Sequence, residues 1–346
     1  MAETFFSLND TERARILGMG RRKLGREPHI LEKDIWVVGA LAALYSSQFA
    51  NILTFKGCTS LVKGYGVMER FSEDADISCD LRYILRDDAM VKNIPPDGIP
   101  SSTSKAEKWA ERAQHRLLPW LEASIKPMIQ ETLDAQGMRA SIVVERRDSN
   151  DCIFVNYEPL HRGTGYVEPS VKLEFGALYT SEPFDKLPVT CDLASIFPEL
   201  VFPQTSARVL KMERTFWEKA TSVHVFCQQD RPLKGRSRHW FDVARLADLP
   251  RIQTAMQDTS WLNQVVRHKE MFFRMKDRDR NWVNYRDCMS GRIRLVPKNE
   301  GARKALREDY AAMAADGVLI GPNPLKFPVL LEKCAALQDE INARFS

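Results

Sequence analysis

Asp74, Asp76 and Ser78 alternate with Ala75 and Ile77 in the run Arg70-Phe-Ser-Glu-Asp-Ala-Asp-Ile-Ser78. A strand built on that alternation must set both carboxylates on one face and the apolar residues on the other. Like charges so placed repel each other unless a cation sits beside them, and an all-oxygen pair suits a hard divalent ion. Asp-x-Asp by itself carries little weight: Asp277-Arg-Asp279 repeats it within a basic, polar run that has no strand pattern, and reads as surface. The first copy differs in what precedes it. Asn51 to Lys56 reads as a short strand, and Gly57-Cys-Thr-Ser60 as a small-residue turn into a helix. Backbone N–H groups at Gly57 and the hydroxyls of Thr59 and Ser60 suit phosphate oxygens there. The same residues also serve any strand-to-helix turn for geometry alone.

A third acid follows on another expected strand. Val171-Lys-Leu-Glu-Phe175 alternates so that Val171, Leu173 and Phe175 are buried while Lys172 and Glu174 share the other face. Three acids on adjacent strands suit two metal ions that hold the attacking and leaving oxygens of a phosphoryl transfer. In isolation the segment reads more readily as an ordinary half-exposed strand with a Lys and a Glu on its wet face.

Around these motifs the chain reads as a helix over Ile30 to Ser46, strands at Ser141 to Arg146, Ile153 to Tyr157 and Ser170 to Phe175, and mostly helix from Arg208 onward. Pro95-Pro-Asp-Gly-Ile-Pro100 marks a break, and Lys105 to Gln136 reads as a helical insertion with further breaks at Pro119 and Pro127. The expected organisation is α+β: residues 1–200 form a mixed-sheet core with a helical insertion around 100–137, and 201–346 a mainly helical lobe. Seven cysteines with no Cys-x-x-Cys pair argue against a disulfide frame or a zinc site. No apolar run approaches membrane length and the N-terminus has no leader pattern, so a cytoplasmic protein is expected.

Net charge is only +4, but Val201 to Tyr310 holds 23 Lys or Arg against 13 Asp or Glu. A basic half suits a polyanionic partner; a solvated, arginine-rich helical surface is the other reading. Within it, Lys269, Arg274, Lys276, Arg278 and Arg280 interleave with Phe272, Phe273, Trp282 and Tyr285. Cations among aromatic faces suit single-stranded nucleic acid, and equally a charged helical face over its own core. Arg231, Lys234, Arg236 and Arg238 form a second basic loop.

In this order the motifs resemble the AbiEii/AbiGii nucleotidyltransferase toxins. The Gly57 turn and the Arg-Phe-Ser-Glu-Asp-x-Asp strand are similar to that family's first motifs, and Leu31-Glu-Lys-Asp34 to the helix before them. Glu213-Arg-Thr-Phe-Trp-Glu-Lys-Ala220 resembles its signature helix, and Arg238-His-Trp-Phe-Asp242 the helix start that follows. Cys58 stands where the family usually has a second glycine, and Glu174 where many relatives have Asp.

The resemblance implies a nucleotidyltransferase-like fold, with Asp74, Asp76 and Glu174 as catalytic metal ligands for Mg²⁺ or Mn²⁺ and Asp242 as a further active-site acid. It places the NTP at Gly57, Thr59, Ser60, Lys172 and Lys219. It also implies an RNA acceptor such as the 3′ end of tRNA, held along Lys269, Arg274, Lys276 and Arg278, and arrested translation. The antitoxin would be encoded separately and not tightly bound. Transfer to a protein or small molecule, or a nucleotide-binding regulator without catalysis, are the rival readings.

Overall fold

The computed structural model describes residues 3–72, 74–147, 149–163, 167–232, 235–315, 319 and 325–345. Contacts divide it into two units: Met1–Gly66, Ser72–Ile94 and Trp109–Leu210 form the first, and Val67–Phe71, Pro95–Lys108 and Lys211–Ser346 the second. The fold is α+β.

The first unit is built on seven strands: β1 (Leu53–Lys56), β2 (Ala75–Asp80), β3 (Ala140–Arg147), β4 (Asn150–Tyr157), β5 (Ser170–Tyr179), β6 (Phe184–Thr190) and β7 (Gln204–Leu210). Their spatial order is β3-β4-β5-β2-β1-β7-β6, a mixed sheet in which β2 runs parallel to β5 and antiparallel to β1. The first five lie where the sequence pattern expects strands: β5 alternates and sends Val171, Leu173, Phe175 and Ala177 into the core, whereas β1 and β4 are buried on both faces.

Strands β6 and β7 escape the pattern. Gln-Thr-Ser-Ala-Arg-Val-Leu is too polar to signal a strand, and Pro188 argues against one. Pro188 is tolerated because β6 is the sheet edge, paired only with β7, where a missing N–H breaks no second ladder. Arg208, taken from sequence as the start of helix, lies in β7, and the first unit ends at Leu210.

Helix α1 (Asp10–Leu24) opens with a capping box between Asn9 and Glu12. Helix α2 (Pro28–Tyr45) is buried on all sides from Leu31 to Tyr45. Its charged triplet therefore enters the core, and each charge is met there. Glu32 accepts the backbone N–H groups of Leu160 (3.0 Å) and His161 (3.3 Å), and Lys33 donates to the carbonyl of Glu168 (3.1 Å). Asp34 accepts the N–H of Asp192 (2.7 Å) and pairs with Lys63, which also meets Asp192 at 2.7 Å. Lys63 ends α3 (Gly57–Lys63), so the interior carboxylate of α2 anchors the helix that follows the glycine turn.

The insertion forms α4 (Thr103–Trp120) and α5 (Lys126–Ala135). Pro119 and Pro127 do not break it into loop; between them lies one π-helical turn, Leu121–Ile125, which absorbs the register change.

The second unit is helical, as expected: α6 (Met212–Gln229), α7 (Ser237–Ala247), α8 (Thr259–Phe272), α9 (Glu300–Ala315) and α10 (Phe327–Arg344), with shorter turns. Phe216 and Trp217 are fully buried on α6. Among the described residues no helix is long and apolar enough to cross a membrane, and all seven cysteines are free thiols.

Candidate active site

Strand β1 ends at Lys56, and the chain turns into α3 through Gly57 at φ 74°. That left-handed conformation favours glycine on backbone grounds alone. Space demands it as well: a Cβ on residue 57 would stand 2.8 Å from Cγ of Asp76, so any side chain would displace the Asp76 carboxylate.

Thr59 and Ser60 are fully buried. The Thr59 hydroxyl donates to the backbone carbonyl of Asp74 and shares a 2.7 Å hydrogen bond with the hydroxyl of Ser72; Ser60 donates to the carbonyl of Gly57 at 2.8 Å. Both hydroxyls, expected from the sequence at phosphate oxygens, here fix the loop and turn that carry Asp74 and Asp76. Glu73, between Ser72 and Asp74, lies outside the described residues.

Sheet register completes the face. Lys56, Asp76, Glu174 and Cys152 are successive Cα partners across β1, β2, β5 and β4, so their side chains leave the same side. The Lys172 ammonium meets Glu174 at 2.8 Å. Burial works against the charge on Lys172, but this hydrogen bond and the charges of Glu174 and Asp74 outweigh it and raise its pKa. Burial lifts the Cys152 thiol to about 11, so it stays protonated at neutral pH.

As a donor set the face offers carboxylate oxygens, which a hard divalent ion prefers, and the Gly57 gap lets Asp76 stand close to the turn. Asp74 and Asp76 fit as a pair. Glu174 is aligned beside Asp76 but engaged by Lys172, and among the described residues no three His, Cys, Asp or Glu side chains are grouped to hold a metal ion.

In the second unit the two expected residues of the helical motifs meet each other. Asp242 on α7 is fully buried and receives Nε and Nη2 of Arg70 at 2.7 and 2.9 Å. Nζ of Lys219, on α6, lies 2.8 Å from Oδ2, the oxygen that Nη2 of Arg70 also meets. Burial alone would raise the Asp242 pKa, but Arg70 and Lys219 hold it well below the usual carboxylate range. Sequence reasoning missed Arg70. It stands at the start of the acidic motif, and only the fold shows that its partner lies in a motif 172 residues away.

The basic stretch sorts into two sets. Lys269 is buried, with Nζ bonded to the carbonyl of Glu218 and the hydroxyl of Ser222, both at 2.8 Å, and Tyr285 is buried with its hydroxyl on the carbonyl of Phe273. These two build the helical unit and are not available to an acceptor in this arrangement. Arg274, Lys276 and Arg278 are exposed. Trp282 is 53% exposed, with the Arg274 guanidinium 4.0 Å and the Lys276 ammonium 5.2 Å from its ring centroid. Lys276, Arg278, Arg280 and Arg231 line an open depression of about 820 Å³ with Asp230 and Asp277. Asp277 caps a turn by accepting the N–H groups of Asp279 and Asn281, which accounts for the second Asp-x-Asp. Lys234 lies outside the described residues.

A glycine turn into a helix thus stands beside Asp76 and Glu174 on adjoining strands of a mixed sheet. The sequence matches the family described as nucleotidyl transferase AbiEii toxin, type IV toxin–antitoxin system, over residues 39–333. The chain belongs to this family of nucleotidyltransferase toxins. Among solved structures it is similar to MenT4, a nucleotidyltransferase toxin of Mycobacterium tuberculosis H37Rv, at 17% identity over 98% of this chain and 89% of that one, with a TM-score of 0.46. It is also similar to terminal uridylyl transferase 4 of Trypanosoma brucei with bound UPU, at 10% identity over 97% of this chain and 100% of that one, TM-score 0.24. No curated protein matches the chain.

The double ion pair on Asp242 gives a stability prediction. Asp242→Asn leaves Arg70 and Lys219 buried without their carboxylate and should lower the unfolding free energy by about 3–5 kcal/mol. Because the folded pKa is depressed, the carboxylate's contribution is fully present above its unfolded value of about 3.9 and is lost as pH falls through the folded one. Denaturant titrations of the parent and the variant should therefore differ at neutral pH and converge in strong acid.

Proposed function

We propose that this toxin transfers a nucleoside monophosphate from an NTP to an RNA acceptor, the 3′ end of tRNA, and so blocks translation in the cytoplasm. The observation that carries the reading is the register row that aligns Asp76 with Glu174, next to Asp74 and behind the Gly57 turn. Asp74 and Asp76 would hold Mg²⁺ or Mn²⁺, which when bound supplies positive charge to the transferring phosphoryl group and acidifies an acceptor hydroxyl.

The chain's own residues do the positioning. Thr59 holds the backbone at Asp74, and Gly57 with Ser60 shapes the turn against Asp76. Lys172 is the cation already among these acids. When phosphate oxygens arrive, Lys172 exchanges Glu174 for them, and Glu174 is released beside Asp76 as the third acid. In the second unit, Asp242 holds Lys219 at 2.8 Å, and Lys219 is the residue of that unit proposed for triphosphate oxygens. The RNA reading is supported by Arg274 and Lys276 against an exposed indole, with Arg278 exposed in the same stretch, since bases stack on aromatic faces while cations meet the phosphates between them. The antitoxin is a separately encoded protein that forms no tight complex with this chain.

Asp76→Asn removes one ligand charge with almost no change in volume. Labelled NMP transfer to total RNA should be abolished while the circular dichroism spectrum is kept; transfer near the parental rate in Mg²⁺ would remove Asp76 from the site. For the acceptor, reversing Arg274, Lys276 and Arg278 to Glu should weaken RNA binding and flatten its dependence on salt, because each lost phosphate contact lowers the slope of log K against log salt by roughly 0.7–0.9. A triple variant that labels tRNA as the parent does at physiological salt would show this loop to be a solvated surface.

A further inference from the structure

Next to the acidic row, β5 changes face. Ser78 pairs with Gly176, but Asp80 pairs with Tyr179, so β5 holds one more residue than β2 between these two pairs. Such a bulge re-aims a side chain. Here it turns Tyr179 to the side shared by Asp76, Ser78 and Asp80. The Tyr179 ring is half-buried, and the ammonium of Lys56 lies 4.7 Å from its centroid. Lys56 is the Cα partner of Asp76, so it and Tyr179 reach toward each other over the same stretch of sheet from two strands. Between Glu174 and Tyr179 on that face stands Gly176, and a Cβ built on it would meet no atom within 4 Å. The result is a strip that runs from the carboxylates past the open space over Gly176, whose partner Ser78 is buried, to an aromatic ring and a cation.

We propose that this strip is the nucleoside subsite for the incoming NTP, with the sugar over Gly176, the base against Tyr179, and Lys56 on the phosphates. The assignment rests on the transfer reading above and deepens it. A planar base needs an aromatic wall and a floor without side chains, and its phosphates need cations close to Asp76; this strip has all three. The contact of Lys56 with the ring is a resting one. A charge-assisted hydrogen bond to phosphate is stronger than an ammonium against a half-exposed ring, so nucleotide binding draws Lys56 from Tyr179 toward the phosphates and uncovers the ring for the base.

Calorimetric binding of a non-hydrolysable α,β-methylene NTP in Mg²⁺, with inorganic tripolyphosphate as a second probe, tests this. Gly176→Val and Tyr179→Ala should each weaken the nucleotide analogue by about ten-fold or more and leave tripolyphosphate unchanged. Lys56→Ala should weaken both probes by about ten-fold, and Lys56→Arg should restore them. Should Gly176→Val fail to fold, Gly176→Ala and Tyr179→Ala carry the test, since φ at 176 is ordinary. Analogue binding at the parental affinity in the Gly176 and Tyr179 variants overturns the subsite, and so does an equal loss of tripolyphosphate. A parent protein that binds neither probe counts against the transfer reading itself.

Discussion

The carboxylate of Asp76 occupies the space that a side chain at residue 57 would fill, and the acidic face is arranged around that approach. Because residue 57 is glycine, β1 can turn directly into α3 and leave Asp76 standing against the turn. Thr59, two residues on, then reaches the backbone of Asp74. One small turn thus positions both acids of the Asp-x-Asp motif, and parallel pairing with β5 brings Glu174 and Lys172 beside them.

Charge buried elsewhere serves the same end. Glu32, Lys33 and Asp34 lie inside the first unit, where unmet charges would be strongly unfavourable, and each is satisfied by a loop or by Lys63. The Asp34–Lys63–Asp192 network fixes the end of α3 opposite the glycine turn. In the second unit Asp242 performs a comparable task for Arg70 and Lys219. Buried ion pairs contribute little net stability but resist rearrangement once formed, which suits residues whose work is placement.

Much of this was legible in the sequence where a periodic pattern and a burial requirement coincide. The alternation in β2 and β5 located both acidic strands, and Phe216 and Trp217 were readable as core of α6. Other features depend on partners far along the chain. Nothing in Gln204 to Leu210 announces a strand until β1 and β6 pair with it. Lys269 and Arg274 look alike in sequence, yet one side chain is buried against Glu218 and Ser222 while the other covers Trp282 at the surface. The bulge that turns Tyr179 is likewise invisible locally, because it exists only as a register against β2. Thr59 and Ser60 were expected at phosphate because small hydroxyl residues follow a glycine; only three-dimensional contacts show their hydroxyls bonded to the chain's own carbonyls.

We propose that the Gly57 turn places Asp74 and Asp76 to bind a divalent ion. Titration of Mn²⁺ into the parent protein and into Gly57→Ala, followed by electron paramagnetic resonance of the free ion, measures it directly. The parent should bind Mn²⁺, and the added methyl group, by displacing the Asp76 carboxylate, should weaken that binding by about ten-fold or more while the protein stays folded. Equal Mn²⁺ affinity in the two proteins, or no Mn²⁺ binding by the folded parent, would contradict it.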